Sequence, residues 1–219
     1  DKQWLREKGW PMLSATADFW ASRVERNGPG KYEIKNVVAA DEWAENVDNN
    51  AFTNAAAKAN LQYATQAAAL LGVPANPDWM MVAKNIPVYK MENGVTREHD
   101  TYKGEGIKQA DVNLLAYPLK EVTDPRQIEK DLEYYSTRVP DEGTPAMTQG
   151  VFALLYARLG KAETRVWVRA RRRDGSEFPV ELAITRIPGD GPPCFTGYLR
   201  DITARKEGEE RLRRSEAFL

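Results

Sequence analysis

Residues 41–72, DEWAENVDNNAFTNAAAKANLQYATQAAALLG, join a polar segment to a long alanine-rich run. Alanine is the best helix former, and Gly72 and Pro74 follow the run as stop signals, so the sequence predicts a helix over Ala51–Leu71. Small alanine side chains let neighbouring helices approach closely, as layered helical folds require. The polar segment holds more carboxylates and amides than the single cap that a helix start needs.

Further helices are predicted on both sides of this run. An apolar face at 11–26 and 77–85, an Asp-Pro start at 125 and a nearly all-apolar run at 144–159 indicate four of them, and the fifth is predicted at 107–115. Helices in series, joined by polar loops, predict a mainly helical toroid or bundle.

The pattern changes after Gly160, where alternating strand-like runs replace the helical periodicity. Strands are predicted at residues 164–173, 178–184 and 194–202, and a charged helix at 206–218. The sequence therefore predicts three parts, a helical part over residues 1–160, a small antiparallel β-sheet over 161–205, and a charged, coiled-coil-like helix over 206–219.

Composition excludes several classes of site. The chain has 219 residues, a net charge of −1, one cysteine (Cys194) and one histidine (His99). There is no run of about 18 apolar residues that could span a membrane, and the neutral charge balance gives no electrostatic case for nucleic acid. One cysteine excludes an internal disulfide and a cysteine-based zinc site. We expect no metal and no cofactor, with His99 at the surface or behind a site rather than catalytic.

Carboxylates and a lysine remain as candidates for chemistry. Glu42 adjoins Trp43, and an apolar indole face raises the pKa of a carboxyl, which suits a general acid; the alternative is ordinary acidic charge before a helix. Lys108 and Gln109 stand at a predicted helix start, where a lysine opposes the helix dipole, so either a ligand or carboxylate lies nearby or the lysine is solvated. Glu142 lies in a tight loop before an apolar helix that Thr144 could cap. Glu142 is then either a general base or an exposed charge.

Two segments carry a resemblance to a known family. Residues 41–54 resemble the acid-bearing segment of glycoside hydrolase family 65, which contains maltose, trehalose and kojibiose phosphorylases, acid trehalases and kojibiose hydrolases. Residues 107–112, IKQADV, resemble its Lys-Gln-Ala-Asp segment. The resemblance runs from about residue 4 to residue 160. It implies a partial (α/α)6 barrel and inverting cleavage of an α-glucosidic disaccharide.

The resemblance also implies roles for individual residues. Glu42 would be the general acid, Glu45 would orient the sugar or the acid, and Lys108 and Gln109 would contact the glucose at the cleavage point. In the phosphorylases a later loop resembles His-Glu-Ser-Ser and holds phosphate, whereas residues 141–144 here are DEGT. This is similar to the hydrolytic branch, in which Glu142 would activate water; a phosphorylase is the alternative. Inverting enzymes keep the two carboxyls about 6.5–9.5 Å apart.

The family's Phe-Trp-Asp segment, which grips glucose, has no counterpart in this sequence and would precede Asp1. We therefore expect the N-terminus and about half of the barrel to be missing, the active site to be incomplete, and the chain to self-associate through an exposed barrel edge or its C-terminal helix.

Residues 172–181 and 197–206 resemble the C-terminal half of a PAS sensor domain, without the elements that wall a haem or flavin pocket. The alternative function is therefore a signalling or interaction module whose helical part is a non-catalytic relic. The junction near residue 160 is either a chimera or a real fusion. A PAS-like tail implies a cytoplasmic protein, whereas the hydrolase could be periplasmic or secreted, so the location stays open.

Overall fold

The computed structural model describes residues 1–140, 144–161, 165–187 and 194–216. Helices predominate up to residue 160, and a three-stranded sheet with one helix follows. The predicted base, Glu142, lies outside the described residues.

A helical hairpin forms the N-terminal half of the chain. Helix α1 (Lys2–Trp4), a π-helical segment (Leu5–Gly9) and α2 (Trp10–Arg23) follow one another without a break and pack against α3 (Ala51–Leu71). The two arms run in opposite directions, because the Arg6 guanidinium donates to the carbonyl of Leu71 while Asn60 donates to Thr16 near the other end. The bounds of α3 are those that the alanine run predicts.

The residues that flank α3, Asn50 and Gly72, cap its two ends. The Asn50 side chain accepts a hydrogen bond from the Thr53 N–H at 2.8 Å, which satisfies one of the free donors of the first turn. Gly72 follows with φ of 68°, a left-handed conformation that favours glycine. Helix α4 (Pro77–Asn85) begins after Asn76, whose side chain accepts from the N–H of Asp78.

The remaining elements of this part are short. They are the antiparallel pair β1 (Glu25–Arg26) and β2 (Tyr32–Glu33), a 3₁₀ turn (Val112–Leu115), α5 (Pro125–Ser136) and α6 (Ala146–Arg158).

Two local predictions for this part are wrong. The helix predicted at 107–115 is reduced to the 3₁₀ turn, and before it the N–H groups of Lys108 and Gln109 bond to the Asp41 side chain. Thr144 does not cap α6, because its hydroxyl donates to the carbonyl of Pro140 at 2.6 Å.

Among the described residues, the two larger of three apolar clusters hold the helical part together. One fills the space between α2, α3 and α4, with Ala17, Leu61 and Val82 fully buried. The other lies beneath the loops that follow α4 and is closed by α5 and α6, with Leu132 and Phe152 at its centre. The N-terminus of α3 contributes to the second cluster, so the polar segment before α3 is fixed where the two clusters meet.

The C-terminal part contains the predicted small antiparallel sheet and terminal helix. Strands β3 (Arg165–Arg171), β4 (Glu177–Ile187) and β5 (Cys194–Asp201) pair in that order, and α7 (Thr203–Glu216) follows. Strands β3 and β4 lie against α6. Across the described ranges, no helix combines the length and apolar character needed to cross a bilayer.

Candidate active site

Three of the sequence-predicted residues meet in space, although two segments supply them. The Lys108 ammonium donates to a carboxylate oxygen of Glu42 at 2.6 Å. The backbone N–H of Glu42 in turn donates to the Gln109 side-chain oxygen at 2.9 Å. Lys108 therefore contacts the side chain of Glu42, and Gln109 contacts the backbone of Glu42. The expected carboxylate partner of Lys108 is Glu42, although Lys108 does not stand at a helix start.

The protonation of Glu42 is the reverse of the prediction. Trp43 is 58% exposed and creates no apolar surrounding for the neighbouring carboxyl. Hydrogen bonds from Lys108 and then Gln109, with the charge of Lys108, hold the pKa of Glu42 below its ordinary value. The predicted rise in pKa is therefore wrong, since a cation 66 residues away in sequence, and not the adjacent indole, determines the environment.

Asp41 organises the backbone around this pair. Its side chain is buried, and one carboxylate oxygen accepts the N–H groups of Trp43, Lys108 and Gln109 at 3.2, 3.0 and 3.2 Å. A carboxylate that accepts backbone N–H groups can be buried without an ion-pair partner. Asp41 was not a sequence candidate, because its position beside Glu42 gives no sign of contacts with residues 108 and 109.

A cavity of about 220 Å³ opens beside these residues. Its wall includes Asp41, Trp43, Glu45, Glu98, His99 and Glu105. Glu45 lines this cavity as an exposed carboxyl, whereas the lining residues do not include Glu42, Lys108 or Gln109. Carboxylates, an indole and an imidazole therefore share the wall of this cavity.

His99 lines this cavity and is half-buried, so it belongs to the wall of the site itself. Burial lowers the pKa of its imidazole, while the carboxylates of Glu105, Asp100 and Asp41 oppose that effect. One ring nitrogen lies 3.2 Å from the hydroxyl of Thr101.

Glu98 is a functional candidate that sequence reasoning missed. Its side chain is only 1% exposed, and among the described residues no group hydrogen-bonds its Oε1 atom. Burial first, and then the nearby charges of Asp111 and Asp41, raise the pKa of Glu98 to about 9. Glu98 therefore keeps its proton at neutral pH. A carboxyl in the stretch 97–100 was visible in the sequence, but its burial was not.

Asp111 is the second buried carboxyl behind the site. Its Oδ2 atom accepts hydrogen bonds from the N–H of Ala40 and the side-chain amide of Asn50, both at 3.0 Å. Burial raises the pKa of Asp111 to about 6, although the hydrogen bond from Asn50 acts in the opposite direction.

The dense amides of the polar segment connect loops instead of facing the cavity. The Asn49 amide donates to Asp100 at 2.8 Å, and the Asn54 amide donates to the carbonyl of Pro87 at 2.9 Å. Asp48 accepts the N–H of Asn36 at 2.9 Å. The excess over simple capping therefore serves to hold the loops that surround α3.

Two further predictions concern the base Glu142 and the expectation of no metal site. Glu142 cannot be placed relative to Glu42, because residues 141–143 lie outside the described ranges. Within those ranges, no three His, Cys, Asp or Glu side chains are grouped in a way that could hold a metal ion.

Comparison with known proteins finds that the chain is similar to sugar-cleaving enzymes. The sequence model described as the glycosyl hydrolase family 65 central catalytic domain matches residues 1–106. A kojibiose hydrolase of Mucilaginibacter mallensis is 71% identical over 163 residues, which are 74% of this chain and 24% of that protein. A kojibiose hydrolase of Flavobacterium johnsoniae is 65% identical over 197 residues, which are 90% of this chain and 29% of that protein.

A solved structure described as a kojibiose phosphorylase from the human microbiome has a similar fold. The TM-score is 0.62 at 13% sequence identity, over 91% of this chain and 44% of that one. This likeness concerns the fold alone. The chain spans about a quarter of the length of the curated relatives it matches.

Proposed function

Because these matches support the assignment of the chain to glycoside hydrolase family 65, we propose that it forms part of the catalytic domain of a glycoside hydrolase that cleaves an α-glucosidic disaccharide with inversion. The helices would then be part of an (α/α)6 barrel. The observation that carries this proposal is the convergence of Glu42, Lys108 and Gln109 from segments 66 residues apart. The substrate that we propose is kojibiose, after the relatives of highest identity given above.

The proposed mechanism assigns one task to each group. Glu42 donates a proton to the leaving oxygen, and Lys108 and Gln109 hold hydroxyl groups of the glucose at the cleavage point. Glu45, on the rim of the cavity, hydrogen-bonds sugar. Glu142 is the proposed base that activates water from the opposite side of the ring.

The test is the release of glucose from kojibiose, with and without phosphate, by the Mucilaginibacter mallensis kojibiose hydrolase carrying this chain's residues in place of its own matching ones, because the chain spans only 24% of that relative. We expect free glucose in both conditions. Glucose 1-phosphate that forms only when phosphate is added would instead identify a phosphorylase. If this hybrid folds but neither releases a product nor binds kojibiose in titration calorimetry, the proposal is wrong for this chain.

Matched glutamine variants assign the acid. Glu42→Gln should lose about 10²–10⁴-fold in rate, the usual contribution of general acid catalysis, and should lose far less with α-glucosyl fluoride, whose leaving group needs no proton. Glu45→Gln is the control, with a smaller loss that is similar for both substrates. Glu142→Gln should not recover with the fluoride, because its water must still be activated. Recovery in Glu45→Gln instead of Glu42→Gln would exchange the two roles.

A second candidate concerns residues 161–219, for which we propose a PAS-like signalling role that starts at the boundary near residue 160. The observation that favours it is the end of β5, where Asp201 accepts the N–H of Thr203 at 2.9 Å and the Arg172 guanidinium pairs with Asp201 at 2.6 Å. This turn leads from the sheet directly into the charged helix α7, which we propose as the signalling helix.

The alignment with the Flavobacterium johnsoniae protein points the other way, because an alignment over 90% of the chain necessarily enters the segment after residue 160. Light scattering on the chain and on a form ending at residue 205 separates the two. If α7 is a signalling helix, the chain should self-associate and the shorter form should not. The same oligomeric state for both forms would contradict the signalling role.

A further inference from the structure

The backbone N–H groups of Lys108 and Gln109 both donate to the side chain of Asp41. The preceding N–H, of Ile107, bonds to the carbonyl of Arg138 at 3.0 Å. The following N–H, of Ala110, bonds to the Thr148 hydroxyl at 3.1 Å. Between these fixed points, Lys108 and Gln109 both donate to Oδ1 of Asp41.

The same oxygen of Asp41 also accepts from its own segment. It receives the N–H of Trp43 at 3.2 Å, which closes a turn around Glu42. The Asp41 carbonyl accepts the N–H of Ala44 at 2.9 Å, so the backbone on both sides of Glu42 is tied to Asp41. One buried carboxylate thus joins the turn that presents Glu42 to the segment that presents Lys108 and Gln109.

We propose that Asp41 is a positioning residue, whose carboxylate fixes the distance between the acid Glu42 and the sugar-contacting pair Lys108 and Gln109. The sugar-binding and acid roles rest on the proposed function; the positioning itself rests on the contacts alone. Hydrogen bonds to an ionised acceptor are about twice as strong as neutral ones. A carboxylate is therefore better suited than an amide to keep three N–H groups on one oxygen.

The test measures Glu42 itself and needs no enzymatic activity. In the 219-residue chain, carboxyl carbons labelled with ¹³C are followed by NMR over a pH titration, with Glu42 assigned through Glu42→Gln. Asp41→Leu removes the acceptor at similar volume, so Lys108 should drift from Glu42 and the pKa of Glu42 should rise towards that of an exposed glutamate. Asp41→Asn keeps an acceptor oxygen and should restore most of the native titration.

Two further variants separate positioning from general destabilisation. Thr148→Val removes the neighbouring tie on Ala110 at nearly the same volume, and should lower stability without moving the titration of Glu42. Lys108→Met should raise the pKa of Glu42 directly. In the double variant with Lys108→Met, Asp41→Leu should produce no additional shift, because the group that it positions is gone.

The outcomes are decisive in each direction. An unchanged Glu42 titration in a folded Asp41→Leu variant overturns the proposal, as does a shift in Thr148→Val of the same size. If Asp41→Leu does not fold, Asp41→Ser, whose hydroxyl is too short to reach all three N–H groups, gives the same comparison. If the titrations are as expected but the hybrid with the Mucilaginibacter mallensis protein neither binds nor cleaves kojibiose, the positioning role stands and the proposed function is refuted.

Discussion

Replacement of Asn50 distinguishes its two roles, as the cap of α3 and as the donor to a buried carboxylate. Its oxygen accepts the N–H of Thr53 at 2.8 Å, while its amide donates to Asp111 at 3.0 Å and to the carbonyl of Glu98 at 3.2 Å. The side chain of Asn50 is fully buried. Asn50→Ala removes both functions, whereas Asn50→Asp keeps the cap and removes only the donor.

The magnitudes follow from these contacts. Loss of a helix cap costs about 1 kcal/mol, and loss of one of the two hydrogen bonds to the buried oxygen of Asp111, which keeps the N–H of Ala40, costs about 1–3 kcal/mol. Asn50→Ala should therefore lower the unfolding free energy by about 2–4 kcal/mol, a large share of the roughly 5–15 kcal/mol typical of native proteins.

Asn50→Asp should be less stable than Asn50→Ala at pH 7, because it places a second carboxylate against Asp111. Two carboxyls that share a site take up one proton at raised pH. That proton supplies the missing donor, so the order of the two variants should reverse near pH 5.

Urea unfolding of the 219-residue chain, followed by circular dichroism at pH 5 and pH 7, measures both variants against the native chain. If Asn50→Asp matches the native chain at pH 7, Asn50 acts only as a cap and the reasoning about Asp111 is refuted. If the order of the two variants stays the same at pH 5 and 7, no proton is shared between the two carboxyls.

Three further predictions concern stability. The pKa of Glu98 is about 9 in the folded chain and about 4.3 in the unfolded chain. Between about pH 5 and 9 the unfolded state therefore binds fewer protons than the folded state, and the unfolding free energy should fall as the pH rises. Glu98→Gln should flatten that slope in urea titrations. Leu132→Ala, at a fully buried position, should cost about 2–5 kcal/mol, whereas Leu70→Ala, 64% exposed, should change stability by less than about 0.5 kcal/mol. Thr96→Val removes the hydroxyl that donates to buried Asp131 at 2.8 Å and should cost about 1–3 kcal/mol in the same assay.

Local signals in the sequence predict the long helices well. The bounds of α3 and α4 follow from composition and from the stop signals beside them, because caps, proline and glycine act within a few residues. The sheet after residue 160 follows from alternation and turn signals in the same way. The helix predicted at 107–115 is reduced to a 3₁₀ turn, and the N–H groups of residues 107–110 bond to Arg138, Asp41 and Thr148, partners distant in sequence that no local pattern contains.

The same limit separates site residues that sequence reasoning finds from those that it misses. Glu42, Lys108 and Gln109 are found because their segments resemble a family. Asp41 and Glu98 are missed because their importance comes from burial and from partners beyond their own segments. The pKa of Glu42 was predicted in the wrong direction for the same reason, since the adjacent Trp43 is visible in the sequence while the ion pair with Lys108 forms only in the fold.

The ion pair also sets a condition on the proposed chemistry. A general acid must carry a proton at the working pH, yet Lys108, 2.6 Å from Glu42, keeps that carboxyl ionised in the free chain. A glucose hydroxyl that takes the donors of Lys108 would draw the ammonium away, and exclusion of water by the sugar would then raise the pKa of Glu42. The basic limb of the pH profile should therefore lie at higher pH for kcat, which reports the substrate complex, than for kcat/KM, which reports the free enzyme. Lys108→Met should raise the limb of kcat/KM towards that of kcat. Coincident limbs in the native enzyme would contradict a proton that arrives with the substrate.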